Sequence, residues 1–147
     1  MSDLYALRRA FMRQFDIAAP QAPQFDLDAM AMWRTMLSEE WQEFQQALQA
    51  YQKLDAGNQE EATLRMAELC AEGVDVLNVL CGLLLSQGLP LEAMTQAIHE
   101  ANLRKIEDGR VLRRADGKIL KPPHWRPADI NGVIRQAAHQ PTTDQGR

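Results

Sequence analysis

Aromatic residues make up only 6 % of the 147-residue chain. In their place the sequence is rich in Ala, Leu, Gln, Glu and Met, which favour helix over sheet. The length suits one domain with an adequate core. We therefore expect a single all-α domain over residues 1–139.

Cysteine occurs only twice, and the spacing of the two residues excludes two common roles. Cys70 and Cys81 lie eleven residues apart on one predicted helix, which places them roughly 16 Å apart and beyond disulfide reach. Two cysteines at this spacing are also not a zinc signature. We expect both to be small core residues in a reducing compartment.

Targeting signals are missing as well. The first fifteen residues carry Arg8, Arg9 and Arg13 and have no uninterrupted apolar stretch, so they do not form a signal peptide. The longest apolar run is too short and too interrupted to span a bilayer. We expect a soluble, cytoplasmic protein without a membrane or nucleic-acid partner.

The charge of the chain is small, at −4, but it is unevenly distributed. Residues 39–75 carry nine acidic and two basic side chains, whereas residues 101–147 carry ten basic and five acidic side chains. This separation is typical of a chain that builds a cation site and an anion site. Two solvated faces of opposite sign are the alternative.

Hydrophobic spacing predicts a bundle of four or five helices. The segments are residues 4–15, 27–54, 59–87, 90–108 and about 129–138. Asp26 or Asp28 caps the second helix, and Asp116-Gly117 predicts a small hairpin or ordered loop. Residues 140–147 are predicted to be disordered.

The third predicted helix is apolar on nearly all sides over residues 74–85, where Asp75 and Asn78 are the only polar side chains. Such a helix lies at the centre of a bundle or in a subunit interface. Because a chain of this length has little room to bury every face alone, we expect an oligomer.

The second predicted helix carries its glutamates in an unusual place. Apolar residues recur along this helix at the spacing of one face. The position of that face after Leu37 is occupied by Glu40, and the next apolar residue of the face is Phe44. Glu43 lies at the edge of the same face, and Glu39 points further round. An ordinary surface helix would place its glutamates opposite the apolar stripe.

A second pair, Glu72 and Asp75, lies on the third predicted helix. If the two helices form a hairpin with its turn near residue 57, Glu40 and Glu43 fall level with this pair. Four converging carboxylates need a counter-charge, and their hard oxygens suit Mg²⁺. Exposed glutamates on amphipathic helices are the alternative. The Glu-x-x-His motif of di-iron bundles is missing, as are EF-hand and glycine-rich phosphate loops.

Basic and amide side chains further along could contact an anion. Asn102 and Lys105 share a face of the fourth predicted helix, and Lys118 and Lys121 follow it. These groups could reach phosphate oxygens that a metal leaves open. The alternative for Lys105 is a solvated lysine at a helix end. Trp125 could stack on a base or pack on its own domain.

Three motifs together resemble the all-α nucleotide pyrophosphohydrolase superfamily, which includes MazG-like enzymes, dimeric dUTPases and phosphoribosyl-ATP pyrophosphohydrolase. They are EEWQE at residues 39–43, EGVD at 72–75 and NLRK at 102–105. The stretch DGKILKP at residues 116–122 is similar to the C-terminal loop of short phosphoribosyl-ATP pyrophosphohydrolase-like members. Arg104 stands where relatives often have serine, so it could alter phosphate or base contacts, and His124-Trp125 leaves the base preference open.

The resemblance implies hydrolysis of a nucleoside triphosphate, such as dUTP or a non-canonical nucleotide, to the monophosphate and pyrophosphate. It assigns Mg²⁺, for which Mn²⁺ could substitute, to Glu40, Glu43, Glu72 and Asp75. Glu39 would be a further ligand or would orient or deprotonate the water, and Glu40 would join it in catalysis. The substrate-binding residues would be Asn102, Lys105, Lys118 and Lys121. It also implies a homodimer or homotetramer, in which Lys118 and Lys121 could act in a neighbouring subunit. Two alternatives are phosphoribosyl-ATP hydrolysis and a non-catalytic helical module for nucleotide binding or oligomerisation.

Overall fold

The computed structural model describes residues 3–139, so the tail predicted to be disordered, 140–147, lies outside the described residues. Five helices and one two-stranded sheet make up the regular structure of the described range. The all-α fold class predicted from composition and spacing is therefore confirmed. The chain forms two compact units, one ending at Leu89 and the other beginning at Pro90.

The first unit contains α1 (Leu4–Gln14), α2 (Leu27–Gln52) and α3 (Gln59–Ser86). Each helix begins at a side chain that accepts a hydrogen bond from its own first turn, and the caps are Asp3, Asp26 and Asn58. Asp26, rather than Asp28, therefore caps α2. Both α1 and α2 pack against α3.

Trp33 is the centre of the core of this unit. Its side chain is 1 % exposed and lies against Gly82 of α3, where a Cβ atom would collide with the indole ring. Gly73 of α3 lies against Phe44 of α2. A Cβ atom added at Gly73 would not collide, because it would lie 3.6 Å from the nearest ring atom. These two contacts fix α2 and α3 as an antiparallel pair.

The segment between α1 and α2 is fixed to the end of α3. The Gln87 side-chain amide donates to the Asp26 carbonyl oxygen, and the Asp26 N–H donates to Gln87 Oε1, both at 2.9 Å. Gly88 has a positive φ of 63°, and a Cβ atom there would collide with the carbonyl of Ala22. The start of α2 is thereby held beside the end of α3.

One face of α3 stays exposed, so the helix is not buried on all sides within the first unit, and its predicted place in a subunit interface stays a prediction. Val74, Leu77 and Leu80 are 45 %, 48 % and 38 % exposed.

The prediction that both cysteines are core residues is half right, because Cys81 is buried but Cys70 is exposed. It failed because Cys70 belongs to the amphipathic first half of α3, where small residues also lie on the outer side.

Taken as a whole, α3 has the length and apolar composition of a membrane span, although the longest apolar run was predicted to be too short and too interrupted for one. The prediction considered only the uninterrupted apolar run, whereas the helix extends well beyond it. Core helices of soluble proteins meet the same criteria, so this is weak evidence for a membrane span.

The second unit contains α4 (Leu91–Leu103), β1 (Ile106–Glu107), β2 (Arg110–Val111) and α5 (Ile130–His139). The predicted fourth helix is too long, because the chain leaves the helix after Leu103 and forms a hairpin. Its turn is Asp108-Gly109, where both residues have positive φ as a type I′ turn requires.

The predicted turn at Asp116-Gly117 is also formed. The Arg114 N–H donates to the Lys118 carbonyl at 2.8 Å, and Arg113 and Ile119 form an isolated bridge. The last predicted helix is also formed, and Asp129 precedes it as its cap, since the Gly132 N–H donates to Asp129 Oδ1 at 2.9 Å.

Candidate active site

The pairing of α2 with α3 determines which acidic residues meet. Glu40 lies seven residues after Trp33, and Asp75 lies seven residues before Gly82. Seven residues are close to two helical turns, so in this antiparallel pair Glu40 is level with Asp75 and on the face that Trp33 and Gly82 share. By the same count Glu43 is level with Glu72.

Three of the predicted ligands come together. Glu40, Glu43 and Glu72 each offer a carboxylate oxygen, and these oxygens lie within 4.8 Å of one another. Glu40 and Glu72 are partly buried, and Glu43 is exposed. Asp75 is exposed and is not part of this group of three. We call Glu40, Glu43 and Glu72 the acidic cluster.

Glu40 is the electrostatic centre of this region. Burial raises the pKa of its carboxyl, and the negative charges of Glu43, Asp75, Glu72 and Glu39 raise it further. Asp75 and Glu39 therefore act on Glu40 although they lie outside the acidic cluster. Glu39 itself is exposed, as the helical phase predicts.

The donor set of the acidic cluster fits a divalent metal ion. Its oxygens are hard ligands, which Mg²⁺ and Mn²⁺ prefer, and their mutual repulsion leaves a charge that a cation would compensate. The cluster contains neither histidine nor cysteine, so it differs from the ligand sets typical of structural zinc.

Arg8 was not among the site residues predicted from the sequence. The guanidinium carbon of Arg8 lies 4.3 Å from the ring centroid of Phe11 and 5.6 Å from that of Trp33. The spacing contained a signal, because Arg8 falls four residues after Leu4 and three before Phe11, in the apolar stripe of α1.

In the second unit, two of the predicted substrate-binding residues come together on Trp125. The ammonium groups of Lys121 and Lys105 lie 4.5 Å and 6.0 Å from the centroid of its indole ring. The indole N–H of Trp125 donates to the Ala101 carbonyl at 2.7 Å. Trp125 therefore packs on its own unit, which was the alternative to base stacking.

Asn102 and Lys105 do not share a helical face, which corrects the prediction for this pair. Asn102 is exposed in the last turn of α4, and Lys105 follows the end of the helix. The two remain adjacent, because the Lys105 N–H donates to the Asn102 carbonyl at 3.1 Å. Lys118 is exposed in the turn after Gly117, where its own N–H donates to Asp116.

Arg104 is engaged by the protein itself rather than presented to a ligand. Its guanidinium donates to the carbonyls of Arg126 and Pro127, each at 3.3 Å. These bonds attach the extended segment at residues 121–127 to the end of α4. The hypothesis that Arg104 alters phosphate or base contacts is replaced by this role in holding the loop.

A comparison with known protein families found a match. The family model described as phosphoribosyl-ATP pyrophosphohydrolase matches residues 8–102, more than half of the chain. The matched range begins at Arg8, includes all four predicted metal ligands and ends at Asn102, before Lys105. None of the curated proteins matches the chain.

Proposed function

The chain belongs to the phosphoribosyl-ATP pyrophosphohydrolase family, and on this basis we propose that it hydrolyses phosphoribosyl-ATP to the monophosphate and pyrophosphate. Membership makes it a hydrolase that acts on acid anhydrides. The observation that carries the proposal is the convergence of Glu40, Glu43 and Glu72 within the matched range. The more general nucleotide hydrolysis predicted from the motifs describes the same chemistry less specifically.

We assign Mg²⁺, replaceable by Mn²⁺, to Glu40, Glu43, Glu72 and Asp75. When bound, the metal supplies positive charge to the phosphates and lowers the pKa of water. Glu40, with its raised pKa, holds a ligand oxygen at the centre of the cluster. The exposed carboxylate of Glu39 orients the attacking water or accepts its proton.

We assign Asn102, Lys105, Lys118 and Lys121 to substrate binding. The pairing of Lys105 and Lys121 on Trp125 supports this, because two ammonium groups held on one ring form a concentrated positive charge that suits phosphate oxygens. Asn102 and Lys118 are exposed and free of the contact with Trp125. These assignments concern binding, so replacing any of the four should raise KM more than it lowers kcat.

A second candidate substrate is another nucleoside triphosphate, such as dUTP or a non-canonical nucleotide. The observation that favours it is that the motifs at residues 39–43, 72–75 and 102–105 resemble the whole superfamily rather than one of its members. Chemistry at the acidic cluster would be the same, and only the contacts to base and sugar would differ.

We further propose a cytoplasmic homodimer or homotetramer. The exposed apolar face of α3, with Val74, Leu77 and Leu80, supports an interface between copies. Asp75 directly follows Val74, so the acidic region would lie beside that interface. A membrane is not needed to cover this face if a second copy does so.

A substrate panel tests the proposal. The protein is incubated with phosphoribosyl-ATP and with canonical and modified triphosphates, with and without Mg²⁺, and pyrophosphate is measured. We expect Mg²⁺-dependent release, fastest from phosphoribosyl-ATP, and loss of release in the Glu40→Gln variant. Faster release from another triphosphate would favour the second candidate. No release from any compound would exclude both.

A further inference from the structure

Two buried N–H donors lie close together in the first unit without an acceptor. Within residues 3–139, neither Arg8 Nε nor Trp33 Nε1 has a hydrogen-bond partner, and both atoms are shielded from solvent. The guanidinium carbon of Arg8 is 5.6 Å from the Trp33 ring centroid. Buried polar groups are nearly always paired, and an unpaired charged one is especially costly. Its retention calls for a functional reason.

The aromatic contacts fix the position of this cation. Phe11 lies on one side of the guanidinium at 4.3 Å, and Trp33 is its second aromatic neighbour. Phe11 is itself held by Phe15, whose ring centroid lies 4.5 Å away. An arginine that lies over aromatic rings keeps its donors in a fixed plane, which suits recognition of an oxygen anion.

The cation lies beside the acidic region. Trp33 packs on Gly82, and Asp75 lies on the same face of α3, seven residues or about 10 Å before Gly82. Burial lowers the pKa of Arg8, while the side chains of Cys81 and Asp75 are close enough to raise it. Arg8 thus lies against Trp33 and within electrostatic reach of Asp75, one of the residues assigned to the metal.

We propose that Arg8 is a phosphate-binding residue of this active site, donating to a phosphate group of the bound nucleotide. The inference rests on the proposed function, since it places the phosphates beside the acidic cluster. A metal ion that takes up the charge of Asp75 would weaken the attraction between Asp75 and the guanidinium, and a phosphate oxygen would take the place of that carboxylate. The planar guanidinium can then form charge-assisted hydrogen bonds.

A phosphate explains the observations better than a base does. Trp33 is only 1 % exposed, so its ring does not offer a free face for stacking. A purely structural role is the other possibility, because cation–π contacts alone stabilise a protein. The two roles differ in whether removal of the guanidinium changes anion affinity.

The test compares Arg8→Met with Arg13→Met in the full chain. Arg13 lies in the last turn of the same helix and is exposed, so its replacement removes the same charge from the same element. Binding of inorganic pyrophosphate in the presence of Mg²⁺ is measured by calorimetry, which does not depend on turnover. We expect Arg8→Met to weaken binding by about 10- to 100-fold, the effect of losing a charge-assisted hydrogen bond, and Arg13→Met to leave it unchanged.

Arg8→Lys provides the second variant if Arg8→Met folds poorly, as judged by circular dichroism and melting temperature. Lysine keeps the charge without the planar fork, so we expect an intermediate loss of affinity. With substrate, the same variants should raise KM while kcat stays within a few-fold of the wild type.

The outcomes separate this inference from the proposed function. Equal pyrophosphate affinity in the wild type and in folded Arg8 variants overturns the role of Arg8, even if the protein hydrolyses phosphoribosyl-ATP. The opposite outcome is also informative. If the wild type hydrolyses no nucleotide but Arg8 variants bind pyrophosphate more weakly, the anion-binding role of Arg8 is supported and the proposed reaction is excluded.

Discussion

Glu40 illustrates how a single residue can carry a functional signal. It occupies a position where the apolar period of α2 calls for a core side chain, and it is partly buried there. Burial and four neighbouring carboxylates raise its pKa. A partly buried carboxylate without a paired cation destabilises the fold, so binding of a ligand explains the presence of Glu40 better than a contribution to stability does.

The raised pKa of Glu40 leads to a prediction about the metal-free protein. The folded state binds this proton more tightly than the unfolded chain does, so the protonated carboxyl favours folding at low pH. That stability is lost as the pH rises from the ordinary glutamate pKa of about 4.3 through the raised pKa of Glu40. The contribution of Glu40 to the free energy of unfolding of the metal-free protein should therefore be smaller above this pH range than below it.

The Glu40→Gln variant isolates this effect, because glutamine resembles the protonated glutamate at every pH. Melting temperatures of both proteins are measured with a chelator between pH 4 and 8. We expect the variant to gain stability relative to the wild type as the pH rises, and added Mg²⁺ to reduce the difference by stabilising the wild type. A difference that is constant or shrinks with rising pH without metal would contradict the account.

Arg8 shows the limit of reasoning at this scale. Its place in the apolar stripe of α1 was visible in the sequence, but arginine also covers apolar surface with its stem while its charge stays in water. Only the packing of α1 on α3 shows that the Nε atom is buried. Periodicity gives the face of a helix, whereas burial depends on what covers that face.

Among the elements, α2 and α3 determine the site through their register. The contact of Trp33 with Gly82 places the acidic residues of the two helices level with each other. A change at this contact should therefore act on the whole helix pair, whereas a change in a looser part of the same interface should not.

Gly82→Ala tests the register. An added Cβ collides with the Trp33 ring, and overpacking of this kind typically costs about 1–3 kcal/mol. Gly73→Ala is the matched control on the same helix, because its Cβ would lie 3.6 Å from the Phe44 ring. There the higher helix propensity of alanine should stabilise the protein by up to about 1 kcal/mol.

Chemical unfolding of the two variants and the wild type provides the measurement. Gly82→Ala should lower the free energy of unfolding, and Gly73→Ala should leave it equal or raise it. Equal stability of all three proteins would mean that the contact between Trp33 and Gly82 is not tightly packed and does not determine the register.

The hairpin of α2 and α3 was predictable because its signals are local. Asn58 and the short polar turn mark where one helix ends and the next begins, and the apolar period gives the inward faces. The end of α4 was predicted too late, because Ile106 fits the helical period although it belongs to β1. The helix ends earlier because Asp108 and Gly109 form the turn of a hairpin whose first strand contains Ile106.

At the scale of the whole molecule, the uneven charge of the sequence corresponds to two compact units. The acidic cluster belongs to the unit that ends at Leu89, and the lysines on Trp125 belong to the unit that begins at Pro90. The sequence predicted both groups of residues. It could not predict the anchoring of Trp125 and Arg104 to nearby carbonyls, because those bonds depend on the path of the loop.

The exposed face of α3 also belongs to this scale. The sequence predicted that residues 74–85 need covering on all sides, and α1 and α2 cover only part of the helix. If a second copy covers the remainder, it brings further groups near Asp75, and the properties of the acidic region then depend on the state of association. Metal binding is therefore best measured on the full chain at a fixed, stated concentration.

The central claim is that the acidic cluster binds a catalytic divalent metal, and Mn²⁺ binding monitored by electron paramagnetic resonance tests it most directly. The wild type should bind Mn²⁺ in competition with Mg²⁺. Glu40→Gln and Glu72→Gln should weaken binding at least tenfold, whereas Glu60→Gln, an exposed glutamate in the first turn of α3, should not. Unchanged Mn²⁺ affinity in the two cluster variants, or no binding by the wild type, would contradict the account.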